Sequence, residues 1–106
     1  MRTVIVALTL VLAGCGSQAG KDGYAFERKE FDRAEVSVTL VEHPSLAALQ
    51  AAAAARGVTA DNVAAWSVLK TGQPACEVHI VDPAVRYQPE YLGHEIAHCF
   101  YGRWHS

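Results

Sequence analysis

Five residues near the C-terminus, His94-Glu95-Ile96-Ala97-His98, have the types and spacing to act on a water molecule held by a metal ion. Residues four apart on an α-helix stack on one face, so His94 and His98 can aim both imidazoles at one ion. Imidazole nitrogen suits Zn2+, which takes four ligands in a tetrahedron and keeps one position open when it is catalytic. Glu95 is one residue on, within reach of the water rather than the ion, where a general base belongs. Chance produces this pattern in about 1.5% of chains with as many histidines and glutamates, so it carries information. The plainer alternative is a solvated helix with incidental histidines. A third protein ligand is still needed, and His105 is the candidate. Gly102 can end the helix in a left-handed conformation and turn the chain back, bringing His105 to the ion.

The whole stretch from His94 through Cys99-Phe100-Tyr101-Gly102-Arg103-Trp104 to His105 resembles the active site of zincin metallopeptidases. Its His–Gly–His tail resembles the metzincin branch, and it is similar to small metallopeptidases of bacterial and phage origin. The resemblance implies a minimal zincin-like domain in which His94, His98 and His105 hold Zn2+, Glu95 is general base and acid, and Gly102 makes the turn. It is close over about a dozen residues and departs in two respects. Three residues, not two, separate His98 from the glycine, and no methionine after Met1 is present to form a methionine turn. In zincins an edge strand before the active-site helix pairs with extended substrate. Here the segment Cys76 to Val81 is the candidate, with His79 on its outer face placed to stabilise an oxyanion. Tyr101 and Tyr91 are further candidates for that task. The bland readings are a merely exposed strand histidine and packing tyrosines. Trp104 is expected to bury against the helix end and steady His105.

These side chains need a scaffold. Glu35 to Val41 alternates as a strand does, with Val36, Val38 and Leu40 on one face, and His43-Pro44 breaks it. Ser45 can cap a helix over Leu46 to Arg56, whose alanines favour helix, and Gly57 sits where a terminating glycine belongs. Asn62 to Leu69 and Cys76 to Val81 read as strands joined through Thr71-Gly72-Gln73-Pro74, which predicts a hairpin. Pro89 fits the first position of a last helix that ends at Gly102. The order strand, helix, strand, strand, helix predicts an α+β domain with a sheet of about three strands, a scaffold helix and the HExxH helix.

Cys76, Val78 and Ile80 share one strand face, and Leu92, Ile96, Cys99 and Phe100 form the apolar side of the last helix. Both cysteines thus point to a core, as a Cys76–Cys99 bridge requires. Two buried free thiols, or Cys99 as a metal ligand, are the alternatives.

The N-terminus reads as an address. Met1-Arg2 precedes a ten-residue apolar run, too short to span a bilayer as a helix but suited to a signal peptide. The run ends in Leu12-Ala13-Gly14-Cys15, which resembles the lipobox of bacterial lipoproteins. That resemblance implies removal of residues 1–14, lipid on Cys15, including an N-acyl chain such as palmitate, and stable membrane anchoring. Gly16 rather than Asp after the cysteine leans toward the outer membrane of a Gram-negative envelope, with the domain facing the periplasm. Residues 15–23 read as a flexible tether and residues 24–106 as the folded unit, a small domain that a covalent staple would help.

With 106 residues and a net charge of −2, the chain forms one domain and has no basic surface for nucleic acid. The sequence thus predicts a monomeric, membrane-anchored zinc peptidase acting on peptide or protein in the envelope. Two rivals stand beside it: a non-catalytic lipoprotein with a structural or degenerate zinc site, and a metal-free binding module of phage origin.

Overall fold

A computed structural model of the chain describes residues 19–59 and 62–105. Cys15 and the apolar run before it, with the signal and lipid-anchor expectations they carry, lie outside the described residues. Among the described residues no helix is long and apolar enough to cross a membrane.

The chain forms an α+β unit in the order β1 (Ser37–His43), α1 (Leu46–Ala55), β2 (Trp66–Leu69), β3 (Ala75–Val81) and α2 (Pro89–Tyr101). Ser45 starts α1 as expected, from an extended backbone, its hydroxyl accepting from the Ala48 amide at 3.0 Å. Gly57 follows the helix at φ +79°, and the Val58 amide donates back to the Ala53 carbonyl at 2.9 Å. α2 begins with Pro89, whose missing N–H costs nothing in a first turn.

The sheet has the order β1-β3-β2. β2 and β3 form the expected antiparallel hairpin, with Trp66 opposite His79 and Leu69 opposite Cys76. β1 runs parallel to β3, from Ser37 opposite Ala75 to His43 opposite Val81. A parallel pair needs a long crossover, which α1 and β2 provide. β3 is therefore central, not an edge, which corrects the expectation that it presents a free edge to substrate. Its burial explains the misreading: Val78, His79, Ile80 and Val81 are all buried, although Glu77 and His79 look like a solvent face in sequence.

One helix covers each face of the sheet. Leu49 and Ala53 of α1 pack on Trp66 and Val81. On the opposite face, Cys76, Val78 and Ile80 pack with Cys99, and Leu92, Ile96 and Phe100 of α2 close over them. The Cys76–Cys99 bond joins the central strand to α2, with the Cα atoms 5.5 Å apart. The cysteine pair expected from the two apolar stripes thus staples the helix that carries the HExxH residues to the middle of the sheet. α2 lies over β2 and β3, so the expected apolar face of β1 is only partly used: Val38 is 37% and Leu40 46% exposed.

Candidate metal centre

α2 stacks His94 and His98 one turn apart, and Gly102 then reverses the chain at φ +70°, ψ −139°. That conformation is open to glycine and strained for other residues. A Cβ at Gly102 would also collide with the side chain of Glu30 and reach Phe31 Cε1 at 3.0 Å. Gly102→Ala is therefore expected to lower stability by about 1–3 kcal/mol and to displace His105, measurable as a fall in thermal midpoint together with weaker metal binding. Arg103, to which the sequence assigned no task, pairs with the same Glu30 and holds the turn down.

The turn brings His105 back over α2. Nε2 of His94 lies 3.2 Å from Nε2 of His98, and Nε2 of His105 lies 3.1 Å from each of them. Nitrogens on a metal at about 2.0–2.1 Å in a tetrahedron sit roughly 3.3 Å apart, so this triangle has the dimensions of one face of such a site. Among the described residues, these three form the group able to hold an ion.

The ring environments agree with that reading. Nδ1 of His98 donates to the Gly102 carbonyl at 2.7 Å, so the neutral ring has no proton on Nε2. Burial pushes the His98 pKa down and favours that neutral ring, against a pull upward from the same carbonyl. A proton-free Nε2 on His98, 3.1–3.2 Å from two further ring nitrogens, is a lone pair that either a metal ion or a neighbouring N–H can satisfy. Nδ1 of His94 lies 2.6 Å from Oδ2 of Asp22. Trp104, only 4% exposed, packs its ring 4.9, 5.4 and 4.8 Å from those of His94, His98 and His105. Its expected role as a support for His105 therefore extends to all three.

Glu95 faces the same cavity of about 540 Å3 as the three histidines, and Ser67 of β2 and Tyr91 also line it. The Glu95 side chain is buried, and burial pushes its pKa above the ordinary carboxylate value. The Ser67 hydroxyl and the charges of His94 and His105 pull the other way.

Other candidates fall elsewhere. His79 is on the α1 face of the sheet, stacked on Trp66 at 3.5 Å and hydrogen-bonded through Nδ1 to Nε2 of His43 at 2.8 Å. Its Nε2 is 3.3 Å from Glu77 Oε2, an ion-pair distance without hydrogen-bond geometry. It does not line the cavity, and neither does Tyr101, which packs edge-on against Phe26 at 4.9 Å under the Arg28 guanidinium. Cys99 is in the disulfide and is not free to bind metal.

Cavity residues that the sequence did not reveal include Asp22, Tyr24 and Ser67. Within the segment read as a tether, residues 19–23 make contacts with the folded unit. Ala19 bridges to Ala25, Asp22 contacts His94, and the Tyr24 ring stacks on His105 at 4.1 Å. Further on, Glu27 and Arg33 donate their amides to the carbonyls of Trp104 and Phe100 at 3.0 Å, so this segment lies along the end of α2. The available signal was Asp22-Gly23-Tyr24, a turn pair followed by an aromatic.

Comparison with family models, with curated proteins and with solved structures finds no match for this chain.

Proposed function

We propose that the chain is a zinc-dependent peptidase of minimal zincin type, held at a bacterial envelope membrane by lipid on Cys15. The observation that carries the proposal is the triangle of Nε2 atoms at 3.1–3.2 Å with the buried Glu95 carboxyl on the same cavity wall. Bound there, Zn2+ supplies a Lewis acid that brings the pKa of water toward neutrality and polarises a carbonyl. His94, His98 and His105 would hold the ion through Nε2 on the wall of the cavity that Glu95 also lines.

Glu95 acts on the proton. Burial makes its carboxylate a stronger base than an exposed one, and Ser67 of β2 lines the same cavity and moderates that shift. It takes the proton from the attacking water and passes it to the leaving amine. The strand that receives substrate is β2, not β3. β2 lies at the edge of the sheet with Ser67 and Leu69 in the cavity wall, where an extended peptide can add through backbone groups alone.

A structural zinc site would be closed by a fourth protein ligand such as Cys99 or His79, and both of these are engaged elsewhere. Cys99 is in the disulfide and His79 is under Trp66. This supports an open coordination position.

The test is metal content and turnover on the chain purified without chelator from an oxidising compartment. The expected result is one zinc per chain with hydrolysis of an unstructured peptide, both falling sharply in His105→Ala. Zinc without hydrolysis of any peptide would support the structural-site rival. No zinc even after reconstitution would end the metallopeptidase reading.

A further inference from the structure

The loop before the folded unit is built around one carboxylate. Oδ1 of Asp22 accepts from the Tyr24 amide at 3.0 Å, and Oδ2 meets Nδ1 of His94 at 2.6 Å. Both side chains are about nine-tenths buried, at 12% and 10% exposure. The loop closes tightly around this group: the Gly20 amide donates to the Tyr24 carbonyl and the Gly23 amide to the Gly20 carbonyl, each at 2.9 Å. A Cβ at Gly20 would approach Asp22 Oδ1 to 2.9 Å, so a side chain there would push the carboxylate away. The Tyr24 ring then covers His105 and lies 4.8 Å from His94.

We propose that the Ala19–Ala25 loop is part of the metal centre, with Asp22 as the positioning residue that holds His94 in its Nδ1–H form and presents a proton-free Nε2 to the ion. A neutral imidazole carries one N–H, and an ionised carboxylate can only accept. The proton therefore sits on Nδ1 and the lone pair on Nε2, the atom that faces His98 and His105. The contact also fixes the ring's rotation, and it makes Nε2 a better donor to a metal. His98 gets the same service from a carbonyl of its own turn, whereas His94 draws on a residue 72 positions away. The inference rests on the metal-site reading above. It adds that the site is incomplete without the N-terminal loop.

The experiment compares full-length wild type, Asp22→Ala and Asp22→Asn. Zinc affinity is measured by competition with a chromophoric chelator. The tautomer of His94 is read from its ring 15N shifts in the zinc-free protein, and thermal midpoints report folding. Asp22→Ala is expected to weaken zinc binding by about 10–100-fold and to turn the His94 ring into a tautomer mixture, with the zinc-free midpoint little changed. Asp22→Asn, which still offers a carbonyl oxygen, should fall between. Zinc affinity in Asp22→Ala within about twofold of wild type, or an unchanged Nδ1–H tautomer, would overturn the role of Asp22 and leave the metal site standing. A wild type that binds no zinc would instead end the metal reading, while the ring spectra would still decide what sets the tautomer.

Discussion

If the proposed mechanism holds, a Glu95→Gln variant is expected to keep its zinc and its fold and to lose peptide hydrolysis by about 10²–10⁴-fold, the usual contribution of a positioned general base. The substitution is nearly isosteric. Because Glu95 is buried and its pKa is raised, replacing it by a neutral amide removes a group that is costly to ionise, so folding stability is expected to hold or rise slightly. The amide has no lone pair basic enough to take a proton from water, so the chemical step is lost. Zinc content and turnover measured on the same preparation separate the two effects. Zinc retained with turnover lost is the expected pair, and wild-type turnover would remove Glu95 from the mechanism.

The second large effect concerns the staple. Replacing Cys76 and Cys99 by alanine is expected to cost about 3 kcal/mol, from the chain entropy released when a cross-link spanning 23 residues is removed. In a unit this small, that is a fall in thermal midpoint of roughly 12–24 °C. The consequence reaches the site because the bond ties α2 to β3 one residue beyond His98. Other supports are the packing of Leu92, Ile96 and Phe100 on Val78 and Ile80 and the N-terminal segment along the end of α2. Zinc affinity is expected to fall with stability. A reductant added to wild type should reproduce the variant's melting curve, and a variant melting within a few degrees of oxidised wild type would show that packing alone holds α2.

Local rules carried much of this molecule. The cap at Ser45, the glycine after α1, the hairpin at Gly72, the proline opening α2 and the turn at Gly102 all depend on neighbours within a few residues, and each is visible in composition and spacing. The three histidines were legible for the same reason, since four- and seven-residue separations bring them together through one helix and its terminal turn. What could not be read depends on pairings between distant segments. The alternation of Glu77 and His79 suggests a solvent face, but β1 pairs along the far side of β3 and α1 and Trp66 cover that face, burying His79. Asp22 was lost among glycines because its partner is far along the chain, and no periodicity links the two. The bland reading of Tyr101 as a packing residue matches its place against Phe26.

The contact between Asp22 and His94 also sets a distance. Asp22 follows Cys15 by seven positions, and an extended chain advances at most about 3.5 Å per residue. If Cys15 carries lipid as proposed, Asp22, and with it the His94 it touches, would stay within roughly 25 Å of the anchored cysteine. A site leashed so closely would meet its substrates by area rather than by volume. Its rate would depend on how many scissile segments lie against the same membrane, and peptides dissolved in the wider compartment would count for little.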